Sequence, residues 1–176
     1  MSASHRIDLE RFVPFRLNRL AAEVSRALAR VYGERFGIDI PEWRIIATLG
    51  DRGRARAQDI ALSTRMHKSM VSRAVARLME LGWVARTAGA KDRREAPLAL
   101  TAAGCAVYEQ LVPIVLDYQD RLLGSLTEGE RRMLERLLDK LERQLDLPCR
   151  PARPERRARA GAAALPEPSS TGISGE

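Results

Sequence analysis

Cysteines, aromatic side chains and long apolar runs are all scarce in this chain of 176 residues. Its two cysteines, Cys105 and Cys149, are too few and too far apart for a disulfide framework or a CxxC metal site. Only two histidines, His5 and His67, accompany them in the chain. We therefore expect no metal and no other cofactor.

No run of about 18 uncharged apolar residues occurs, and the first ten residues carry acidic side chains where a secretory signal would carry basic ones. The sequence thus predicts a cytoplasmic protein without a membrane partner. Aromatics make up only 5% of the residues, while Ala, Leu and Arg recur throughout, and this balance favours helices. No nucleophile with a base and an orienting group, Gly-rich phosphate loop or metal set is visible, so we do not expect an enzyme.

Positive charge is concentrated in the middle of the chain, within a net charge of +7. Residues 51–95 carry 11 basic and five acidic side chains, whereas residues 96–149 carry six basic and nine acidic ones. A basic segment beside a near-neutral one and an acidic one is typical of a phosphate-binding face, because each neutralised phosphate releases counterions. The alternative is an ordinary solvated helical surface.

Apolar spacing predicts two helices in the first 53 residues. After Pro14, apolar residues recur at intervals of three and four as far as Phe36, and Gly37 follows as a stop. Pro41 opens the second helix, for which we expect an end in the turn 50–53.

A short third helix around Ala57–Ala61 and a fourth from about His67 to Leu81 form the next unit. In the fourth helix, the spacing places an apolar stripe towards the core: Val71, Ala74, Val75 and Leu78. The opposite stripe repeats the same offsets with Ser69, Ser72, Arg73 and Ala76. Small hydroxyls with one arginine, flanked by Lys68 and Arg77, fit a major groove and donate to base edges and phosphates.

Two β-prone stretches follow, Trp83–Thr87 and Ala96–Leu100, which predict a small hairpin with a basic tip. Thr101 caps a fifth helix that runs to about Leu123. Thr127 and Glu130 form a capping box that opens a sixth helix. The apolar stripe of that helix consists of Met133, Leu134, Leu137, Leu138, Leu141 and Leu145.

Two motifs carry a family resemblance. Gln58-Asp59-Ile60-Ala61 leads into Lys68-Ser69-Met70-Val71-Ser72-Arg73, and Lys91-Asp92-Arg93-Arg94 leads into Leu98-Ala99-Leu100-Thr101-Ala102-Ala103-Gly104. A hairpin with D-x-R at its tip, followed by L-T-x-x-G opening a helix, is hard to explain by a generic helical bundle. Over residues 8–146 the chain resembles the MarR family, the multiple-antibiotic-resistance type of regulator.

The resemblance implies a mainly α fold: a winged helix-turn-helix with a two-stranded β wing and N- and C-terminal dimerisation helices. Residues 1–36 would be the N-terminal dimerisation helix, 37–102 the DNA-binding module and 103–147 the C-terminal dimerisation helices. Residues 148–176, rich in Pro, Arg, Ala, Gly and Ser, read as a disordered basic tail.

The resemblance also implies a homodimer on a pseudo-palindromic operator of double-stranded DNA, with the fourth helix in the major groove. Arg94 would enter the minor groove, oriented by Asp92. His67 stands where family members often place Asp or Ser; it is a poorer cap, and we interpret it as a partly exposed residue without a role rather than one lying near phosphate. The candidate DNA-binding residues are Arg56, Gln58, Arg65, His67, Lys68, Ser69, Ser72, Arg73, Arg77, Lys91, Asp92, Arg93 and Arg94.

The family usually senses a small molecule between the dimer helices and the DNA-binding lobe. The candidate effector-binding residues are Arg16, Arg19, Ser25, Trp43 and Arg44. A cation, a hydroxyl and an indole suit an aromatic carboxylate. Residues 12–25 are similar to regulators of aromatic-acid breakdown that respond to hydroxycinnamoyl thioesters or auxin-like acids, so the expected function is a repressor released by an aromatic acid or its CoA thioester.

Three alternatives remain open. Trp43 could be core packing, with the arginines solvated or paired with Glu23 and Glu42. The regulator could instead sense oxidants through a cysteine thiol. The chain could also be a helical protein that binds another protein without binding DNA.

Overall fold

A computed structural model describes residues 6–87 and 96–147 of the chain. The mainly α prediction is confirmed, because six helices account for most of these residues. The basic wing tip and the C-terminal tail that the sequence predicts lie outside the described residues. The elements are α1 (Val13–Phe36), α2 (Ile40–Arg52), β1 (Arg54–Ala55), α3 (Ala57–Thr64), α4 (Lys68–Glu80), β2 (Val84–Arg86), β3 (Leu98–Leu100), α5 (Ala102–Leu122) and α6 (Glu128–Gln144).

Local signals set the ends of the first two helices. Gly37 ends α1 in the left-handed conformation, at φ 65°, as a residue without a Cβ does readily. A reciprocal capping box opens α2: Asp39 accepts a hydrogen bond from the Glu42 N–H at 3.2 Å, and Glu42 Oε2 accepts one from the Asp39 N–H at 2.8 Å. The prediction that α2 ends within residues 50–53 is confirmed, since the helix continues to Arg52 and Gly53 is its C-cap.

A small antiparallel sheet follows the order β1-β3-β2. The predicted hairpin is confirmed, with Val84 opposite Leu100 and Arg86 opposite Leu98. The sheet has a third strand, however, and not only the two predicted: Arg54 and Ala55 pair with Ala99 and Leu98. A strand of two residues is too short to show an alternating pattern, so only its partner reveals it.

The core lies where α2, α4 and the sheet meet. Ile45, Ile46 and Leu49 of α2 are buried, and so is Leu98 of β3. The predicted inward stripe of α4 is confirmed, because Val71, Ala74, Val75 and Leu78 are all buried. This packing fixes the rotation of α4 about its axis and therefore decides which side chains it presents outward.

Hydrogen bonds join the start of α5 to the turn between α4 and β2. Thr101 Oγ1 accepts a hydrogen bond from the Gly104 N–H at 3.0 Å and donates one to the Gly82 carbonyl at 2.6 Å. The Thr101 N–H donates to the Trp83 carbonyl at 3.0 Å. The predicted cap is thus confirmed, and it also holds the start of α5 against the turn between α4 and β2.

The sixth helix begins at the predicted capping box, where Glu130 Oε2 accepts a hydrogen bond from the Thr127 N–H at 2.8 Å. The hydrogen bonds that the backbone N–H and the hydroxyl of Thr127 donate to Glu130 hold the pKa of this carboxyl below its usual range. No residue of α6 is buried, and its apolar stripe is exposed from Met133 to Leu145. By contact density the chain divides into two units after Arg136, within this helix. Among the described residues, no helix has the length and apolar character needed to cross a bilayer.

Candidate nucleic-acid interface

The outward stripe of α4 is the centre of the candidate interface. Ser69, Ser72, Arg73 and Ala76 are all exposed, opposite the buried stripe of the same helix. Arg73 makes no ion pair within residues 6–87 and 96–147, so its guanidinium donors are available to base edges or phosphates. Small side chains on either side of Arg73 let a helix of this kind approach the floor of a major groove.

The first turn of α4 is capped by His67. Its Nδ1 accepts a hydrogen bond from the Ser69 N–H at 3.3 Å and lies 2.8 Å from Ser69 Oγ. The interpretation of His67 as a residue without a role is therefore wrong, because a neutral imidazole nitrogen can satisfy one of the free N–H groups at a helix start. Any contact of His67 with DNA stays a prediction.

A groove of about 450 Å³ runs beside the outward stripe of α4. It brings together three of the predicted residues, Gln58 of α3 and Lys68 and Ser72 of α4. Arg86 of β2 also lines it, although the sequence predictions omit this residue. The signal that points to Arg86 is its position at the end of the strand that leads from α4 into the wing. Ala57, Val71 and Val75 form the apolar floor.

The remaining predicted DNA contacts are distributed around this groove. Arg56 and Arg65 are exposed at the two ends of α3, and neither lines the groove. Arg77 is half exposed and lies 3.5 Å from Glu42 of α2, measured between Nε and Oε1. Four further predicted contacts lie outside the described residues: Lys91, Asp92, Arg93 and Arg94. In the sequence, β2 precedes and β3 follows this segment, and the two strands pair with each other.

Glu42 is the one charged side chain buried among the described residues, at 5% exposure. Burial raises the pKa of its carboxyl, and the hydrogen bond from the Asp39 N–H and the Arg77 charge oppose that rise. Its two oxygens have different partners, the capping N–H of Asp39 and the guanidinium of Arg77. No sequence signal distinguishes this glutamate from an exposed one, since a capping box predicts only its local hydrogen bond.

The candidate effector residues are split between two places. Arg16 and Arg19 line a shallow pocket of about 410 Å³ on the outer surface of α1, with Val13, Leu17, Leu20 and Glu23. Arg19 also pairs with Glu10 at 3.1 Å and lies over the Phe15 ring, 5.5 Å from its centroid. Ser25, Trp43 and Arg44 do not line this pocket.

Trp43 and Arg44 instead contact residues of neighbouring helices. The Trp43 ring stacks on Tyr32 of α1 with centroids 5.8 Å apart, and the Arg44 Nη1 donates to the Thr64 carbonyl at 3.5 Å. Burial raises the pKa of Tyr32 to about 12, although the nearby Arg44 charge opposes the rise. The alternative pairing of the candidate arginines with Glu23 and Glu42 is not found, because these carboxylates pair with Arg26 and Arg77.

Comparison with known proteins places this geometry in a family. A model of the MarR family matches residues 36–95, which include α2, α3, α4 and β2. The transcriptional repressor Rv2887 of Mycobacterium tuberculosis is 28% identical over 122 residues, covering 69% of this chain and 84% of the repressor. This match is longer than the 60 residues that the family model covers.

Solved structures agree in fold. A MarR/EmrR family regulator from Acinetobacter sp. ADP1 is 29% identical with a TM-score of 0.72, covering 80% of this chain and 99% of that one. NadR, solved in complex with 4-hydroxyphenylacetate, has a TM-score of 0.63 at 23% identity and covers 80% of this chain and 96% of its own. The winged helix-turn-helix, the exposed outward stripe of α4 and these relatives together support the MarR family of DNA-binding transcriptional regulators as the family of this chain.

Proposed function

We propose that this regulator binds a pseudo-palindromic operator as a homodimer and acts as a repressor that a small aromatic carboxylate, or its CoA thioester, releases from DNA. The observation that carries the DNA-binding part is the exposed stripe of Ser69, Ser72 and Arg73, held outward by the buried opposite face of α4. Each module reads only a few base pairs, so useful specificity needs two half-sites about one helical turn apart.

Replacing Arg73 by alanine should weaken operator binding by about tenfold to hundredfold, because a guanidinium that contacts a base edge or phosphate contributes about 1–3 kcal/mol. The measurement is fluorescence anisotropy with a duplex recovered by selection from a random pool. Arg143→Ala is the matched control, since it removes the same charge from α6. Equal affinities for wild type and Arg73→Ala would contradict this placement of α4, and no DNA binding by the wild type even at low salt would favour a protein-binding role.

We propose that α1, α5 and α6 form the dimer interface. Exposed large apolar side chains are concentrated at the beginning of α1, the second half of α5 and along α6: Val13, Phe15, Leu17 and Leu20; Leu116 and Leu122; Met133, Leu134, Leu137, Leu138 and Leu141. Among the described residues these side chains are 36–59% exposed, and exposure to water is unfavourable by about 25 cal/mol for each Å² of apolar surface. A second copy would cover them.

The effector proposal rests on the α1 pocket. Arg16 and Arg19 supply cations beside the apolar Val13, Leu17 and Leu20, a combination that suits a flat apolar acid. NadR, which shares the fold, binds the aromatic acid 4-hydroxyphenylacetate. Such a ligand can release DNA only if it binds more tightly to a dimer whose recognition helices are wrongly spaced for the operator.

Saturating aromatic acid, about 100 times its dissociation constant, should stabilise the native protein by about 2.7 kcal/mol and raise its melting temperature by several degrees. A thermal-shift screen of hydroxylated benzoic, phenylacetic and cinnamic acids and their CoA thioesters measures this. Arg16→Gln should remove most of the shift. Arg30→Gln, an exposed change further along α1, should keep it. If no compound stabilises the wild type, or Arg16→Gln retains the full shift, the α1 pocket is not the effector site.

A further inference from the structure

Glu42 and Arg77 form a link between the second helix and the recognition helix. Glu42 sits in the first turn of α2, where Oε2 accepts the Asp39 N–H at 2.8 Å, and Oε1 lies 3.5 Å from Arg77 Nε on α4. The glutamate side chain is only 7% exposed, whereas the arginine side chain is 55% exposed. One buried carboxylate therefore pairs with an arginine whose side chain is more than half exposed.

A buried carboxylate at this position needs a physical reason. Burial disfavours the ionised form, as the raised pKa of Glu42 reflects, and Asp39 adds a second negative charge nearby. A capping box alone does not require burial or charge, because glutamine fits it equally well. The Arg77 cation is the group that favours the ionised carboxylate from the other side. The feature that only glutamate supplies is thus the ion pair to α4.

Arg77 is placed to reach DNA. It follows Arg73 by one helical turn, so it lies at the edge of the outward stripe that includes Ser69, Ser72 and Ala76. A guanidinium has five N–H donors in a rigid planar fork, and a carboxylate on its Nε side fixes the direction in which the Nη groups project. The backbone phosphates at the rim of a major groove lie at the edges of an inserted helix.

We propose that Glu42 is a positioning residue for DNA binding, which acts through Arg77 by holding its guanidinium ready for a backbone phosphate. This inference rests on the proposed docking of α4 in the major groove. It adds a residue of α2 that does not touch DNA itself. Arg77 supplies the phosphate contact, and the buried carboxylate reduces the rotamer freedom that an unsupported arginine would lose on binding.

The direction in which Glu42→Gln changes the affinity for DNA distinguishes the positioning role from a simple effect of net charge. Glu42→Gln removes a negative charge, so a change in net charge alone would tighten binding to DNA. Loss of the ion pair to Arg77 would instead weaken binding, because the guanidinium is no longer directed. Glutamine keeps the capping box of α2. The two explanations therefore predict opposite changes from one substitution that preserves the local fold.

The test compares five forms on the selected operator duplex over a range of salt concentrations: wild type, Glu42→Gln, Arg77→Ala, the double variant and Glu80→Gln. Glu80 is the charge-matched control, because it is exposed on α4 and makes no ion pair within the described part of the chain. We expect Glu42→Gln to bind about threefold to tenfold more weakly and Glu80→Gln to bind as tightly as wild type or slightly more tightly. Arg77→Ala should reduce the salt slope by about one.

In the Arg77→Ala background, Glu42→Gln should cause no further weakening, since the group that it positions is gone. If Glu42→Gln binds as tightly as wild type or more tightly, or weakens binding equally with and without Arg77, the positioning role is excluded. Melting curves check that each variant is folded. If Glu42→Gln does not fold, Arg77→Gln breaks the same Glu42–Arg77 ion pair from its exposed side. If Arg73→Ala weakens DNA binding but Glu42→Gln does not, only the positioning role of Glu42 is excluded. If neither substitution weakens DNA binding, the proposed docking of α4 in the major groove is excluded as well.

Discussion

Replacing Gly104 by alanine should lower the free energy of unfolding by about 3 kcal/mol, the upper part of the usual range for overpacking. A Cβ at this position would overlap the carbonyl oxygen of Trp83 and lie 2.9 Å from the carbonyl carbon. The atoms in the way belong to the backbone, and the Trp83 carbonyl also accepts a hydrogen bond from the Thr101 N–H. No side-chain rotation can relieve the overlap, so α5 would have to move away from the turn before β2.

Thermal unfolding at a fixed protein concentration measures this effect, because the melting temperature of the proposed dimer would depend on concentration. For a chain of this size the expected loss corresponds to roughly 6–12 °C. Gly129→Ala is the matched control: nothing lies within 4 Å of its added Cβ, and alanine in a helix should leave stability unchanged or raise it by up to about 1 kcal/mol. Equal melting temperatures for Gly104→Ala and wild type would show that α5 does not approach Trp83 so closely.

The double substitution Leu137→Glu and Leu141→Glu should convert the regulator to a monomer and weaken operator binding by at least about 100-fold. Both leucines lie one turn apart on the exposed apolar stripe of α6, and neither is buried in the single chain. Two carboxylates in an apolar interface would be desolvated without partners. A monomer reads one half-site only, and most of the specific affinity depends on both.

Light scattering after size exclusion measures the oligomeric state, and anisotropy measures operator binding. Arg143→Glu makes the same change in net charge from the polar side of α6, and we expect it to remain dimeric. A dimeric double variant would remove α6 from the proposed interface. Monomers that still bind the operator with wild-type affinity would instead remove the need for a dimer.

Repeating patterns in the chain were sufficient to predict most of the fold. The six helices follow from apolar spacing, and several of their ends follow from local signals such as Gly37, Thr101 and the pair Thr127 and Glu130. The outward stripe of α4 follows from the same spacing, because a helix that buries one face must expose the other. These features depend on neighbours within a few positions of each other, which is the range over which a sequence pattern reports structure directly.

Features that depend on distant neighbours were not predictable. The strand β1 exists because Arg54 and Ala55 meet β3, more than 40 residues later. The candidate effector residues were grouped by type, but Trp43 stacks within the core while Arg16 and Arg19 lie on the outer surface of α1. Nothing in the local sequence distinguishes these surroundings, because burial depends on how helices pack together.

The sequence by itself determined that this chain folds mainly into helices, that one of them presents hydroxyls and an arginine outward, and that the charge around it suits DNA. Those properties are set by spacing along a helix and by composition. Only the tertiary structure decided that Glu42 is buried against Arg77 and that Gly104 lies against the Trp83 carbonyl. Each of these pairs joins two elements, and the distance between elements is fixed by the packing of the whole core rather than by any local preference.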